Sequence, residues 1–276
     1  MKYFIKTGRI FYAIALIVYG IQQFIYGDFR NVLLPPWQSH LPLLPAWAYL
    51  FGLYLIASGI AIIIGKKVYE VSLILGGILL FIVCAFQIPY ELISEPNKSY
   101  HMGLWTSVLK EAALAGGAFV VADSLMQTKE IAIQKNKTWI KILDKIKPYG
   151  NIFFCNTMIC FGIAHFMYGE NISNLVPSFF PDHIFWTYFA AVALIGSGSF
   201  IILNIRTRVI ALLLSLMIFL WFWMVHLPGA FQDPHLDRGN NVSSAFDALA
   251  FSGIALLIAF TLKKQKLIDD IEKIGA

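Results

Sequence analysis

The sequence predicts an all-α fold: a polytopic membrane protein of eight transmembrane helices, built as two parallel four-helix-bundle repeats. Three observations carry this. Hydrophobic residues make up 58% of the 276 and charged residues only 13%, where a soluble domain carries about a quarter charged. The apolar residues fall into runs of about 18–22, the length that crosses a ~30 Å hydrocarbon core, without the period-two alternation of barrel strands. And the chain repeats itself: YGIQQFIYGDF at 19–29 returns as FGIAHFMYGEN at 161–171.

The expected spans are roughly 8–26, 46–65, 68–88, 103–125, 150–169, 183–204, 207–227 and 242–262. MKYFIKTGRIFY is basic, then apolar, and no small-residue cleavage site follows, so it reads as a retained first helix rather than a signal peptide. Span 1 matches span 5 through GRIFY and GNIFF at a spacing of 142 residues, and Pro35 matches Pro177. After a three-residue contraction, Trp47, Leu55, Ser58 and Gly59 of span 2 match Trp186, Leu194, Ser197 and Gly198 of span 6. Spans 3 and 7 end alike, Gln87-Ile88-Pro89 against His226-Leu227-Pro228. After a further contraction of three, Glu111 and Gly117 of span 4 match Asp247 and Gly253 of span 8. An even number of spans per unit leaves both copies in one orientation, a parallel repeat. The units are 1–125 and 149–276. The linker between them, 126–148, is basic, with Ile131, Ile133, Trp139, Ile140, Ile142, Leu143 and Ile146 at amphipathic spacing and Pro148 at its end. It reads as an amphipathic helix on the cytoplasmic membrane surface, the alternative being a solvated tether.

With the N-terminus assigned to the cytoplasm, 17 Lys and Arg fall on cytoplasmic segments and three (Arg30, Lys98, Arg238) on outer loops, Lys110 lying within a span. This positive-inside asymmetry places both termini in the cytoplasm of a bacterial-type inner membrane. The net charge of +5 is then topology, not a nucleic-acid footprint. Cys84, Cys155 and Cys160 all lie in apolar spans and form no CxxC pair; they read as small buried hydrophobes.

Polar groups inside spans are costly and mark a bundle interior or a water-filled cavity. Here they share one level, near the outer ends: Gln22 and Gln23 of span 1, Gln87 of span 3, Lys110 and Glu111 of span 4, His165, His226 and Asp247 of spans 5, 7 and 8. The expectation is a shallow polar pocket open to the outside in each repeat. Gln23, Gln87, Glu111, Lys110 and Asn241 are the candidate ligand-binding residues. His165, His226 and Asp247 are the candidate catalytic or proton-handling set, since two imidazoles and a carboxylate can relay protons or polarise a carbonyl. The plainer alternative is that these groups only hydrogen-bond one another and fix helix registration. No HExxH or comparable ligand spacing points to a metal. The short outer loops LLPPWQSHLPLLPAW and LVPSFFPDHIFW suit interfacial segments over the bundle mouth, with Trp37, Trp47 and Trp186 at headgroup level; QIPYELISEP and HLPGAFQDPHLDRGN are candidate lids. No GxGxxG after a strand, P-loop or GxSxG occurs, so any chemistry must use this pocket, an external cofactor or a partner.

The unit that opens with basic-Gly-x-x-Phe, runs through a proline loop and ends N-x-x-x-A-x-D-x-L-A-x-x-G, most clearly in MVHLP and NNVSSAFDALAFSGIALL, resembles the DoxX family. Its relatives include the membrane subunit of thiosulfate:quinone oxidoreductase and the methylamine-utilisation protein MauE. The resemblance implies a four-helix membrane bundle associated with redox or quinone-linked complexes, and assigns functional positions to His226, Asn241 and Asp247. The chain departs from the family unit in being a fused duplication, with Gln87 and Trp105 where the second copy has His226 and Asn241. The first expectation is an accessory or quinone-associated subunit, partnered by the bilayer and by a membrane protein or a second copy, with quinone as possible cofactor. The rivals are a non-catalytic scaffold subunit and a small-molecule carrier.

Overall fold

A computed structural model describes residues 1–36, 42–94, 101–125 and 137–274, with side chains described as far as Thr261. Trp37, residues 126–136 of the linker and the end of the QIPYELISEP loop lie outside the described residues. The described chain is helical: α1 (Lys2–Tyr26), α2 (Leu44–Ile64), α3 (Val68–Ile82), α4 (Ile88–Ser94), α5 (Thr106–Asp123), α6 (Thr138–Ile146), α7 (Gly150–Met167), α8 (Gly169–Ser173), α9 (His183–Ile202), α10 (Thr207–Trp221), α11 (Leu227–Gln232) and α12 (Asn240–Ile274). Among the described residues seven helical stretches are long and apolar enough to cross a membrane, as in a multi-pass protein. The eighth expected span, 103–125, is α5, which is helical but does not reach that standard. It carries Lys110, Glu111 and Asp123 within 18 residues. Its charges are tolerated because it is not a lipid-facing helix: Ala113 to Ala122 are all buried.

The core follows from which helices can approach. α5 and α12 form the central pair, and every residue of α12 from Asp247 to Thr261 is buried. α1 packs on α2 and α12, α7 packs on α9 and α5, α3 lies on α5, and α10 lies on α12. Helices of the two halves therefore interleave rather than forming two bundles side by side. Glycine contacts set close approaches, two of them between the halves of the chain. A Cβ added at Gly8 would sit 2.7 Å from the Gly253 carbonyl, and one at Gly150 would sit 2.7 Å from that of Gly116. Only glycine permits backbones this close. The outer faces of α2, α9 and α10 are apolar and exposed, as at Leu50, Leu53, Val192, Leu213 and Leu216, which suits contact with lipid tails.

Two breaks in helical geometry position the site. Val83–Gln87 and Phe222–His226 are single π-turns, each followed by a short helix that contains proline at its second residue. Pro89 and Pro228 have no N–H and would clash with the carbonyl four residues earlier in a regular α-helix. The chain widens instead: the N–H of Ile88 bonds the Val83 carbonyl and that of Leu227 the Phe222 carbonyl. This inserts one residue into the turn that ends at Gln87 or His226.

At the opposite end, α6 docks on α3 and α5. Ile140 is fully buried, and Leu143 and Ile146 pack against the cluster of Tyr69, Leu73 and Phe119. Tyr69 donates to Asp144, Lys147 pairs with Asp123 at 3.1 Å and Asp144 at 3.4 Å, and Arg9 donates to the Ser124 hydroxyl and carbonyl. Trp139, Ile142 and Lys141 remain on the exposed face.

Candidate functional site

The polar end of the bundle is built around Asp247. It lies on the central helix α12 and is only 2% exposed. Tyr19 of α1 donates its hydroxyl to Oδ1 at 2.5 Å. Lys110 of α5 lies 2.9 Å from Oδ2 and reaches Ser244 Oγ at 3.3 Å. A carboxylate at this depth is costly unless paired and hydrogen-bonded, and here two helices, α1 and α5, supply the partners.

His226, the last residue of the second π-turn, lies within electrostatic reach of Lys110, Asp247 and His165. His165 of α7 places Nδ1 2.7 Å from the Phe161 carbonyl, and its ring lies near-parallel to that of Trp221, centroids 6.4 Å apart. Both imidazoles are half-buried. The expected set of His165, His226 and Asp247 is thus brought to one place, with Lys110 joining it from the first half of the chain.

The first half's residues assemble differently. Glu111 is fully buried, and among the described residues neither carboxylate oxygen meets a donor in good hydrogen-bond geometry. Gln87 lies against it, but the Gln87 amide nitrogen is given to the Asn31 carbonyl at 3.1 Å, and its oxygen is unpartnered. Gln23 is likewise fully buried with both amide atoms unpartnered. These carboxylate and amide groups do not line an open mouth. The expected pocket open to the outside is closed at Gln23, Gln87, Glu111 and Asp247, because helices packed through glycine leave little room between them.

Asn241 stands apart from the cluster. Its amide donates to the carbonyls of Asp233 at 3.2 Å and Gly229 at 3.4 Å, holding the loop after α11. That loop is also strapped to α1. Gln22 donates to the Gly239 carbonyl at 2.8 Å and accepts from Ser243 at 3.0 Å, Arg30 donates to the Arg238 carbonyl, and Arg238 pairs with Asp28. Among the described residues no group of three or more His, Cys, Asp or Glu is placed to hold a metal ion, and the three cysteines are free.

Tyr19 is the member that sequence reasoning misses. A tyrosine within an apolar span looks like any core aromatic; the only trace is that the matching residue of the second copy is Phe161, which has no hydroxyl. No protein-family model, curated protein or solved structure matches the chain.

Proposed function

We propose that this chain is a DoxX-like integral membrane protein, an accessory or quinone-associated subunit supporting redox chemistry at the outer face of a bacterial-type inner membrane, with both termini cytoplasmic. The observation that carries the reading is the group formed by His165, His226, Asp247, Lys110 and Tyr19 at one end of the helices. Ionisable residues inside a membrane are costly and face a bundle interior or a water-filled cavity, which makes them candidates for function. Here two half-buried imidazoles stand beside an ion pair. A quinone bound there would supply a two-electron, two-proton couple. The residues' own part is narrower: Tyr19 and Lys110 hold Asp247 in place, and Asp247 holds the charge balance around His226.

The fused-duplication reading draws support from features that recur in register. The π-turns at Val83–Gln87 and Phe222–His226 correspond. So do the left-handed turn residues Leu43 and Asp182, Gly65 and Asn204, Lys67 and Arg206. The approach of Gly8 to Gly253 corresponds to that of Gly150 to Gly116. The last of these changes one pairing read from sequence. If Gly116 is the counterpart of Gly253, then Lys110, not Glu111, is the counterpart of Asp247, and the ion pair joins two equivalent positions across the central helix pair.

A scaffold subunit is the second reading, favoured by the fact that Asp247 takes a hydrogen bond from Tyr19 and an ion pair with Lys110 within the chain. Mass spectrometry of protein gently solubilised from its own membrane tests both. Stoichiometric quinone, lost in His226→Ala, is the expected result. A stoichiometric protein partner without quinone would make the chain a structural subunit.

A further inference from the structure

We propose that Glu111 is a proton-binding site: its carboxyl is held un-ionised inside the bundle, and its O–H donates to Gln87 Oε1. This proton is additional to the chemistry of the His165–His226 group and does not depend on a quinone binding there.

Packing brings the two side chains together. Glu111 lies on α5, and α3 packs along α5. The π-turn Val83–Gln87 that follows α3 sets Gln87 against Glu111. Glu111 is 0% and Gln87 1% exposed. The Gln87 amide is oriented by Asn31: Nε2 donates to the Asn31 carbonyl at 3.1 Å, and turned round it would set oxygen against oxygen. Oε1 is then left without a donor, beside a carboxyl whose two oxygens have none in good geometry.

One hydrogen resolves this arrangement. An ionised carboxyl only accepts, whereas an un-ionised one has an O–H to give. Given to Oε1, it satisfies an oxygen on each side chain. The second hydrogen of Nε2 is no substitute, since it would leave Oε1 unpaired and the charge unmet. Charge decides against the ionised form, because a buried ion needs a counter-ion. The cation nearest along the chain, Lys110, is turned to Asp247 at 2.9 Å. Among the described residues no ammonium, guanidinium or imidazole forms an ion pair with Glu111. A trapped water would bring a donor but no counter-charge. A hard metal cation takes about six or more oxygens, where these two side chains offer three.

Infrared spectroscopy of the full-length protein in dodecyl maltoside, a detergent without a carbonyl group, tests the site. Exposed Asp and Glu side chains are ionised in neutral buffer, so the C=O stretch of an un-ionised carboxylic acid stands clear of them. Subtracting the Glu111→Gln spectrum from that of the unaltered protein is expected to leave one such band. Gln87→Leu removes the acceptor, and should keep the band but move it to higher frequency. The unfolding midpoint of each variant reports whether the fold is kept; if Glu111→Gln does not fold, the shift in Gln87→Leu carries the test. An ionised carboxylate band in place of the acid band would overturn the inference, as would an acid band that does not move in a folded Gln87→Leu protein. A carboxylate band in sodium buffer that gives way to the acid band in choline buffer would make the ligand an alkali cation and overturn it equally.

Discussion

Two buried carboxylates at one end of this molecule have opposite circumstances, and the contrast is measurable. Asp247 has Lys110 and Tyr19; Glu111 has the Gln87 side chain against it but, among the described residues, no well-formed hydrogen bond. Removing one member of a buried ion pair strands the other charge, at a cost of about 3–5 kcal/mol. Asp247→Asn is therefore expected to lower the unfolding midpoint in detergent markedly, and the double change Lys110→Met with Asp247→Leu to recover most of the loss. Glu111→Gln removes a carboxylate that nothing satisfies, so stability should hold or rise by ~1 kcal/mol or more. A large loss in Glu111→Gln would mean that Glu111 has a partner after all. Of this cluster, His165, His226, Asp247 and Lys110 were legible in the sequence because charge and imidazole are conspicuous among aliphatic neighbours. Tyr19 was not, because its role depends on a helix more than two hundred residues away.

Helix geometry explains why the polar residues point where they do. The π-turns owe their existence to Pro89 and Pro228, and a π-turn shifts everything after it by one residue around the helix. Pro228→Ala allows regular α-helical bonding through this stretch, and Pro in a helix interior costs ~3 kcal/mol. The variant should keep or raise its unfolding midpoint while losing ligand retention at His226; unchanged retention would show that the bulge does not aim the ring. The glycine approaches give a second test. Gly150→Ala forces a methyl to 2.7 Å from the Gly116 carbonyl, and overpacking of this kind costs about 1–3 kcal/mol. Gly196→Ala meets nothing within 4 Å and should be neutral or slightly stabilising, since Ala is the better helix former by up to ~1 kcal/mol. Thermal unfolding of the two variants side by side separates contact from propensity.

At the scale of the whole molecule, interleaving makes a prediction that a pair of independent bundles would not. α1 buries a face on α12 and α7 buries one on α5, so each half alone exposes what the other covers. Residues 1–130 and 131–276 expressed separately should fail to accumulate as folded protein, and a tag on one should recover both when they are expressed together. Accumulation of a stable, folded single half would show that interleaving is not required.

That the chain is a succession of long apolar helices, and their order, was determined by the sequence alone, because burial in a bilayer demands long uninterrupted apolar runs and a self-satisfied backbone; of the eight spans expected, seven are long and apolar enough among the described residues, and the remaining one, α5, is helical but more charged. Which helices touch was a matter for the tertiary structure. Periodicity in helices apolar on every side does not say which face meets which neighbour; glycine-permitted backbone approach decides it, and that depends on pairs far apart in the chain. For the same reason the sequence could align Glu111 with Asp247 by similarity of charge. Only the packed central pair placed Lys110 opposite Asp247, paired one carboxylate and left the other without a donor.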